Sequence, residues 1–177
     1  MTDLPEPNPS TYSVLNAHRS ARNAHVVAGY AVAVVARGGR LIDVYLGSTN
    51  FSTDDESADT RGGVRHTIDD VLDRAFIIFA GVRASAIWVC HDEDVDYDTA
   101  MFVAWGDHSD TTEIYDSIVQ QLAVSYGSHP AMREWAWGWC DELQALWPAI
   151  CEVAAMLLDG QLVTHEDVLA AVRWCRK

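Results

Sequence analysis

The alternation of apolar and polar positions divides this chain into long helical segments and one short extended segment. Residues from about Ser13 to Ala36 are rich in alanine and valine at helical spacing, and Gly38 and Gly39 end this first helix. The next residues, LIDVYLG, alternate enough and contain enough β-branched and aromatic residues to predict one strand. Residues 48–63 are polar and acidic and are expected to form a loop.

A second helix is expected from about Thr67, because Thr67 and Asp70 have the spacing of a capping start. It continues through VLDRAFIIFAGVRASAIWV, where Ala80 and Gly81 form a notch of small residues that would let another helix approach closely. The acidic segment that follows, HDEDVDYD, is interpreted as a solvated loop. The residues MFVAW are predicted to be a short strand or an extended buried segment.

Two further helices are predicted before the C-terminal segment. The third begins at Ser109 or Asp110 and contains TTEIYDSIVQQLAVSYG. The fourth has Pro130 in its first turn, which suits proline, and continues through EWAWGWCDELQALW. Because proline removes a backbone donor, Pro148 should kink the fourth helix or split it in two.

The C-terminal segment has clear helix boundaries. Gly160 suits the position just after a helix end, and Thr164 with Asp167 is expected to cap a last helix, HEDVLAAVRWC. The fold class predicted from the whole pattern is mainly α (α+β), a helical bundle with one small β element. Residues 1–10 are expected to be a disordered, proline-rich lead, and residues 11–177 a single helical domain.

Composition and charge limit the classes of partner. The chain has 177 residues, of which 49% are hydrophobic, and this is typical of a globular protein. Its formal net charge is −14, which argues against a surface that binds nucleic acid or an anionic membrane. Apolar runs are too short to span a bilayer. We therefore expect no nucleic-acid or membrane partner.

The cysteines and the N-terminus indicate a cytoplasmic protein. The four cysteines form no C-x-x-C pair and no zinc-knuckle spacing. The first residues, MTDLPEPNPS, lack the basic start and apolar stretch of a secretory signal. The thiols are therefore expected to be reduced and mostly buried.

Small residues in the first helix have the arrangement of a zinc-peptidase motif. The stretch NAHVVAGYAV has alanine, glycine and valine at the non-catalytic positions of A-x-H-E-A-G-H-A-V. A second block, FIIFAGVRASAIW, is similar to L-A-G-x-x-A-E-x-L, with Ser85 or Ala86 in place of the usual Glu. A third block, GDHSDTTEIYDSIVQQL, is similar to a segment whose Asp is the third zinc ligand; Asp110 matches best and Asp107 next.

These blocks, in this order, resemble the FtsH-type zinc metallopeptidase domain, and most closely its short stand-alone bacterial relatives. The closing segment AICEVAAMLLDGQLVTHEDVLAAV is similar to the last helix pair of that family. The resemblance covers most of the chain from residue 20 onward. It implies an FtsH peptidase-domain-like helical fold and a site opposite the first helix.

The zinc ligands and the catalytic glutamate of that family are missing from the matching motif of this chain. The His-Glu-His positions of H-E-x-x-H are occupied by Val26, Val27 and Tyr30. Zinc hydrolysis needs two imidazole ligands and a carboxylate that accepts a proton from water, and valine offers neither. The resemblance therefore implies a catalytically inactive relative, without a bound cofactor, that acts as a binding or regulatory protein.

Two other functions remain open. A rearranged zinc site around His25, His108 and Asp110, with Tyr30 nearby, would give an active metal-dependent hydrolase. His18 cannot share one ion with His25 directly, because seven residues place them about 10 Å apart along a helix; both are expected to be surface or partly buried side chains. If the resemblance to the FtsH family does not hold, the chain is expected to be an unrelated small helical accessory protein.

The tryptophan-rich fourth helix is the predicted interface. One apolar stripe, formed by Trp135, Trp139, Leu143, Leu146 and Trp147, is expected to be core. Trp137 projects from the opposite side of the helix and is the candidate contact for a protein partner or a homo-oligomer.

Overall fold

A computed structural model describes residues 9–47, 62–107, 114–120 and 129–175, with side chains described from residue 17 in the first range and from residue 138 in the last. It confirms a mainly helical fold with one small β element, and both strands belong to a single antiparallel pair. The elements, in chain order, are α1 (Pro9–Ala36), β1 (Leu41–Tyr45), β2 (Gly63–His66), α2 (Val71–Glu93), α3 (Tyr97–Asp107), α4 (114–120), α5 (His129–Leu158) and α6 (His165–Cys175).

The long helix α1 is the centre of the bundle. Its second half is almost entirely buried from Ala24 to Val35, against α2 and α5. It begins at Pro9, so the last two residues of the predicted lead are helical, and residues 1–8 lie outside the described residues. None of the helices in the described ranges is long and apolar enough to cross a membrane.

Small residues let α1 and α2 cross closely, as the notch at Ala80 and Gly81 predicts. A Cβ added at Gly29 would lie 2.7 Å from the Ala80 carbonyl oxygen and 3.0 Å from the Ala84 Cβ. Both distances are shorter than ordinary van der Waals contact. The two backbones therefore touch at a point where only glycine fits. The helices run antiparallel, because His18 contacts Asp92 near the end of α2 and Arg37 contacts Asp73 near its start.

The start of α2 differs from the sequence prediction. The N-cap is Asp70, whose Oδ1 accepts hydrogen bonds from the Leu72 N–H at 2.9 Å and the Asp73 N–H at 3.1 Å. Thr67 was predicted to open the helix, and this is wrong. Its hydroxyl accepts from the Arg40 N–H at 3.0 Å and its own N–H donates to the Arg40 carbonyl at 3.1 Å. Thr67 therefore closes the β element instead.

The strand β2 was not predicted. It pairs with β1 from Leu41 opposite His66 to Tyr45 opposite Gly63. Gly62, with φ +91°, precedes it, and a Cβ there would lie 2.4 Å from the Tyr45 carbonyl oxygen. The predicted loop of residues 48–63 therefore ends one residue into β2, and residues 48–61 lie outside the described residues.

The segment MFVAW is part of a helix, α3, and both extended predictions for it are wrong. Asp96 accepts hydrogen bonds from the N–H and the hydroxyl of Thr99, at 3.0 and 2.7 Å, which caps the first turn. Ala100 and Ala104, one turn apart, are fully buried against α2. The buried positions therefore recur every four residues rather than every two.

The C-terminal hairpin follows its predicted boundaries. The turn after α5 has Gly160 at φ +70°, and the Gln161 N–H donates to the Met156 carbonyl at 3.0 Å. At the start of α6, the Thr164 N–H donates to Asp167 Oδ2 at 2.9 Å. Pro148 lies inside α5, which continues past it as one helix, so the predicted split does not occur.

Candidate functional site

The positions of the degenerate zinc motif lie inside the bundle. Val26 and Val27 are 4% and 1% exposed. The ring of Tyr30 lies over Gly81 of α2: a Cβ added at Gly81 would come within 2.1 Å of Tyr30 Cε1. Aliphatic carbon and a packed aromatic ring therefore occupy the stretch in which the resemblance places zinc ligands, and they offer no nitrogen donor.

One turn before Val26, an arginine connects three helices. The Nε of Arg22 donates to Ser85 Oγ at 2.7 Å, and its Nη1 is 2.5 Å from Asp107 Oδ2. Ser85 is fully buried in α2, and Asp107 ends α3. The remaining nitrogen, Nη2, is buried and has no hydrogen-bond partner within the described part of the chain. A positive group, not a metal ligand, thus faces the carboxylate here.

The three blocks of the resemblance meet at this arginine. Arg22 is on the helix of the first block, Ser85 is a candidate for the usual Glu of the second, and Asp107 is the second choice for the third zinc ligand. The first choice, Asp110, lies outside the described residues, as does His108. Sequence reasoning missed Arg22, because its partners are 63 and 85 residues away along the chain.

His25 lies between two tryptophans. Its ring is 5.8 Å from Trp147 at an interplanar angle of 24°, and 6.1 Å from Trp88. Its Nδ1 is 2.8 Å from the Ala21 carbonyl oxygen, and since a carbonyl only accepts, Nδ1 carries the proton. Burial lowers the pKa of His25 below 6.5, only partly opposed by this hydrogen bond.

The two histidines of α1 are partly buried, as predicted, and do not share a site. His18 Nε2 is 2.5 Å from Asp92 Oδ2 at the end of α2. No group of three His, Cys, Asp or Glu side chains that could hold a metal is found among residues with described placement. Because His108 and Asp110 are not among them, the rearranged site around His25 stays a prediction.

A buried arginine, Arg83, holds the start of α3. Arg83 Nη1 donates to the Tyr97 hydroxyl and is 3.3 Å from Cys140 Sγ on α5. Burial raises the pKa of Tyr97, so its hydroxyl stays protonated at neutral pH. All four cysteines are free and partly buried. The contacts of Arg83 with Tyr97 and Cys140 tie α2, α3 and α5 together.

Two apolar features of the described surface lie outside this centre. The first is the outer face of α3, where Phe102 is 81% exposed and Val103 is also exposed. The second is an open groove of about 720 Å³ between residues 38–44 and residues 162–166, with Ile42 and Leu162 exposed at its edges. Its walls are joined where the Leu41 N–H donates to His165 Nδ1 at 3.3 Å.

The described part of the apolar stripe predicted on α5 packs in or against the core. Leu143 and Leu146 are buried, and Trp139 packs at 5.6 Å from the ring of Phe76. Trp137, the predicted interface residue, lies in α5, but its side chain is outside the described part of the structure.

Comparisons with protein families, curated proteins and solved structures gave no match to this chain. The resemblance to FtsH-type peptidases therefore stays a prediction from the sequence blocks.

Proposed function

We propose that this protein is a catalytically inactive relative of the FtsH-type zinc metallopeptidases that acts by binding another protein. The observation that supports the proposal is the packing at the motif positions. Val26 and Val27 are buried among apolar groups, and Tyr30 is held against Gly81. Neither aliphatic side chains nor a phenol of ordinary pKa near 10 replaces two imidazoles and a general base at neutral pH.

Arg22 adds a second reason. In a zinc peptidase the metal would connect the motif helix to a carboxylate, whereas here a guanidinium reaches a carboxylate, Asp107, from the same helix. A fixed positive charge one turn from the motif also repels a divalent cation. Arg22 thus provides the cross-link between helices without any Lewis acid.

A cytoplasmic location belongs to the same proposal. All four cysteines are free thiols, and such thiols persist in a reducing compartment. The net charge of −14 makes protein partners more favourable than nucleic acid or anionic membranes.

The experiment is a zinc measurement on protein purified without added metal, by inductively coupled plasma mass spectrometry. The proposal expects well under one equivalent. Stoichiometric zinc that is lost in Asp110→Ala would contradict it and would support the hydrolase with a site around His25, Tyr30 and Asp110.

A variant tests the register directly. In an Arg22→Met background, which removes the nearby positive charge, Val26→His with Tyr30→His restores two imidazoles one turn apart and should create zinc affinity; Val26→His alone in the same background is the matched control. Val27 is left unchanged, because a carboxylate at a position 1% exposed would oppose folding. If the double variant is folded by circular dichroism yet binds no zinc, the register is wrong, and an unrelated helical accessory protein becomes the better reading.

A further inference from the structure

The helix α3 has alanines at its most buried positions and leaves two large apolar residues exposed. Its other large apolar residues, Met101 and Trp105, are partly buried against the core. Ala100 and Ala104 face α2 in a small core cluster with Val82, Ala86 and Val89. Phe102 is 81% exposed, and Val103 beside it is exposed as well. Burial of Phe102 would contribute more than burial of either alanine, so a helix that served only the core would not leave this side chain exposed. The outer face of α3 is therefore an exposed apolar surface centred on Phe102.

Acidic residues border this surface on one side. Asp94, Asp96 and Asp98 lie exposed at the beginning of α3 or just before it. Asp98 is four residues before Phe102, so the two side chains occupy the same helical face one turn apart. The outer face thus combines an apolar centre with negative charge at its N-terminal end.

We propose that the outer face of α3 docks a basic amphipathic segment of another protein, whose apolar side chains cover Phe102 and Val103 and whose Lys or Arg side chains meet the acidic residues at the start of α3. This rests on the proposed binding function and names its partner class. An amphipathic helix laid on an apolar surface is an established mode of recognition, and opposite charge at the border fixes its orientation.

Charge argues against the other occupants. A second copy docked through the same face would bring two acidic borders together, in a chain of net charge −14. An anionic membrane would be repelled in the same way. The surface is also held in place before binding, because Arg83 donates to Tyr97 at the first residue of α3. A surface held in this way loses little entropy when it binds.

The test uses the full chain and a synthetic 18-residue peptide of Leu and Lys with its leucines at positions i, i+3, i+4 and i+7. Its controls are a scrambled peptide of the same composition and a peptide with Glu in place of Lys. Fluorescence anisotropy of the labelled peptides gives the dissociation constants at 0.05 and 0.5 M salt. Only the amphipathic basic peptide is expected to bind tightly. Its binding should be weaker at 0.5 M salt than at 0.05 M salt, because salt screens the attraction between opposite charges.

Two matched substitutions locate the binding. Phe102→Ala should weaken binding on the order of tenfold or more, as for a central apolar contact in an interface. Leu162→Ala removes a side chain of almost equal exposure, 82%, at the α5–α6 turn and should leave binding unchanged. Asp98→Asn should weaken binding at low salt and much less at high salt. All three positions are exposed, so the variants keep the fold.

Several outcomes would overturn the proposal. These are equal binding of the scrambled peptide, equal loss in Leu162→Ala, no loss in Phe102→Ala, or self-association that Phe102→Ala abolishes, which would make a second copy the occupant. Zinc content of the same preparation separates the two proposals: a zinc-free protein that ignores the peptide retains the proposed function and loses only this docking surface.

Discussion

The contact between Tyr30 and Gly81 makes a quantitative prediction for a double-mutant cycle. A Cβ at position 81 would lie 2.1 Å from Tyr30 Cε1, 2.5 Å from Cζ and 2.6 Å from Cδ1. Carbon atoms in contact are about 3.5–4.0 Å apart, so the ring edge must move by roughly 1.5 Å. Overpacking of this kind costs about 1–3 kcal/mol, whereas replacing glycine by alanine within a helix gains about 1 kcal/mol.

Gly81→Ala should therefore lower the free energy of unfolding by up to about 2 kcal/mol. In a Tyr30→Ala background the overlap is absent, and the same substitution should raise the free energy of unfolding by about 1 kcal/mol. The coupling energy between the two positions is then about 1–3 kcal/mol, within the range measured for side chains in contact. Urea denaturation followed by circular dichroism at 222 nm measures all four corners of the cycle.

A Tyr30→Phe background is the matched control, because it keeps the ring and removes only the hydroxyl. There Gly81→Ala should remain destabilising. If Gly81→Ala has the same effect in the wild-type and Tyr30→Ala backgrounds, the ring does not lie over Gly81. The position of α1 relative to α2 would then be wrong.

Three further predictions follow from buried polar groups and from a glycine in open space. Arg22→Met should lower the free energy of unfolding by about 1–3 kcal/mol, because the buried Ser85 hydroxyl loses its partner; chemical denaturation measures the loss, and a value near zero would contradict the network. The pKa of His25 is lowered from 6.5 in the folded state, so the unfolded chain binds more protons and the free energy of unfolding should fall as pH drops from about 7 to 5. The His25→Gln variant should reduce that slope, leaving the part due to His66, whose pKa is also lowered. Gly138→Ala, where nothing lies within 4 Å of the added Cβ, should raise the melting temperature, since it gains about 1 kcal/mol of helix stability; an unchanged or lower value would indicate a contact at that position.

Local signals in the sequence predicted the parts of the fold that depend on neighbouring residues. The end of α1 before Gly38, the turn at Gly160 and the cap of α6 at Thr164 each involve residues within about one helical turn. The strand β2 has no such signal, because GVRH is too short to show alternation and its hydrogen bonds go to β1. The helix α3 was missed because its cap, Asp96, is one of several acids in a charged run.

The candidate site was predictable only in part for a similar reason. Replacement of the motif residues by Val26 and Tyr30 can be read directly from the chain. The role of Arg22 cannot, because a hydrogen bond to Ser85 and an ion pair with Asp107 depend on how three helices pack. The first helix has more than one arginine, and the sequence does not indicate which of their guanidinium groups will be partly buried between helices.

The shallow packing of α3 has a consequence for its local stability. Its inward side contributes Ala100 and Ala104 to a cluster separate from the main core. Since these alanines bury little area, the attachment of α3 also depends on Met101 and Trp105, which are partly buried beside them, and on the contacts of Arg83 and Arg22 at its two ends. The helix still has far fewer buried side chains than the second half of α1, so it should open locally before the whole molecule unfolds. Backbone amides of this helix should therefore exchange with deuterium sooner than those of α1, and a ligand that covers it should slow that exchange.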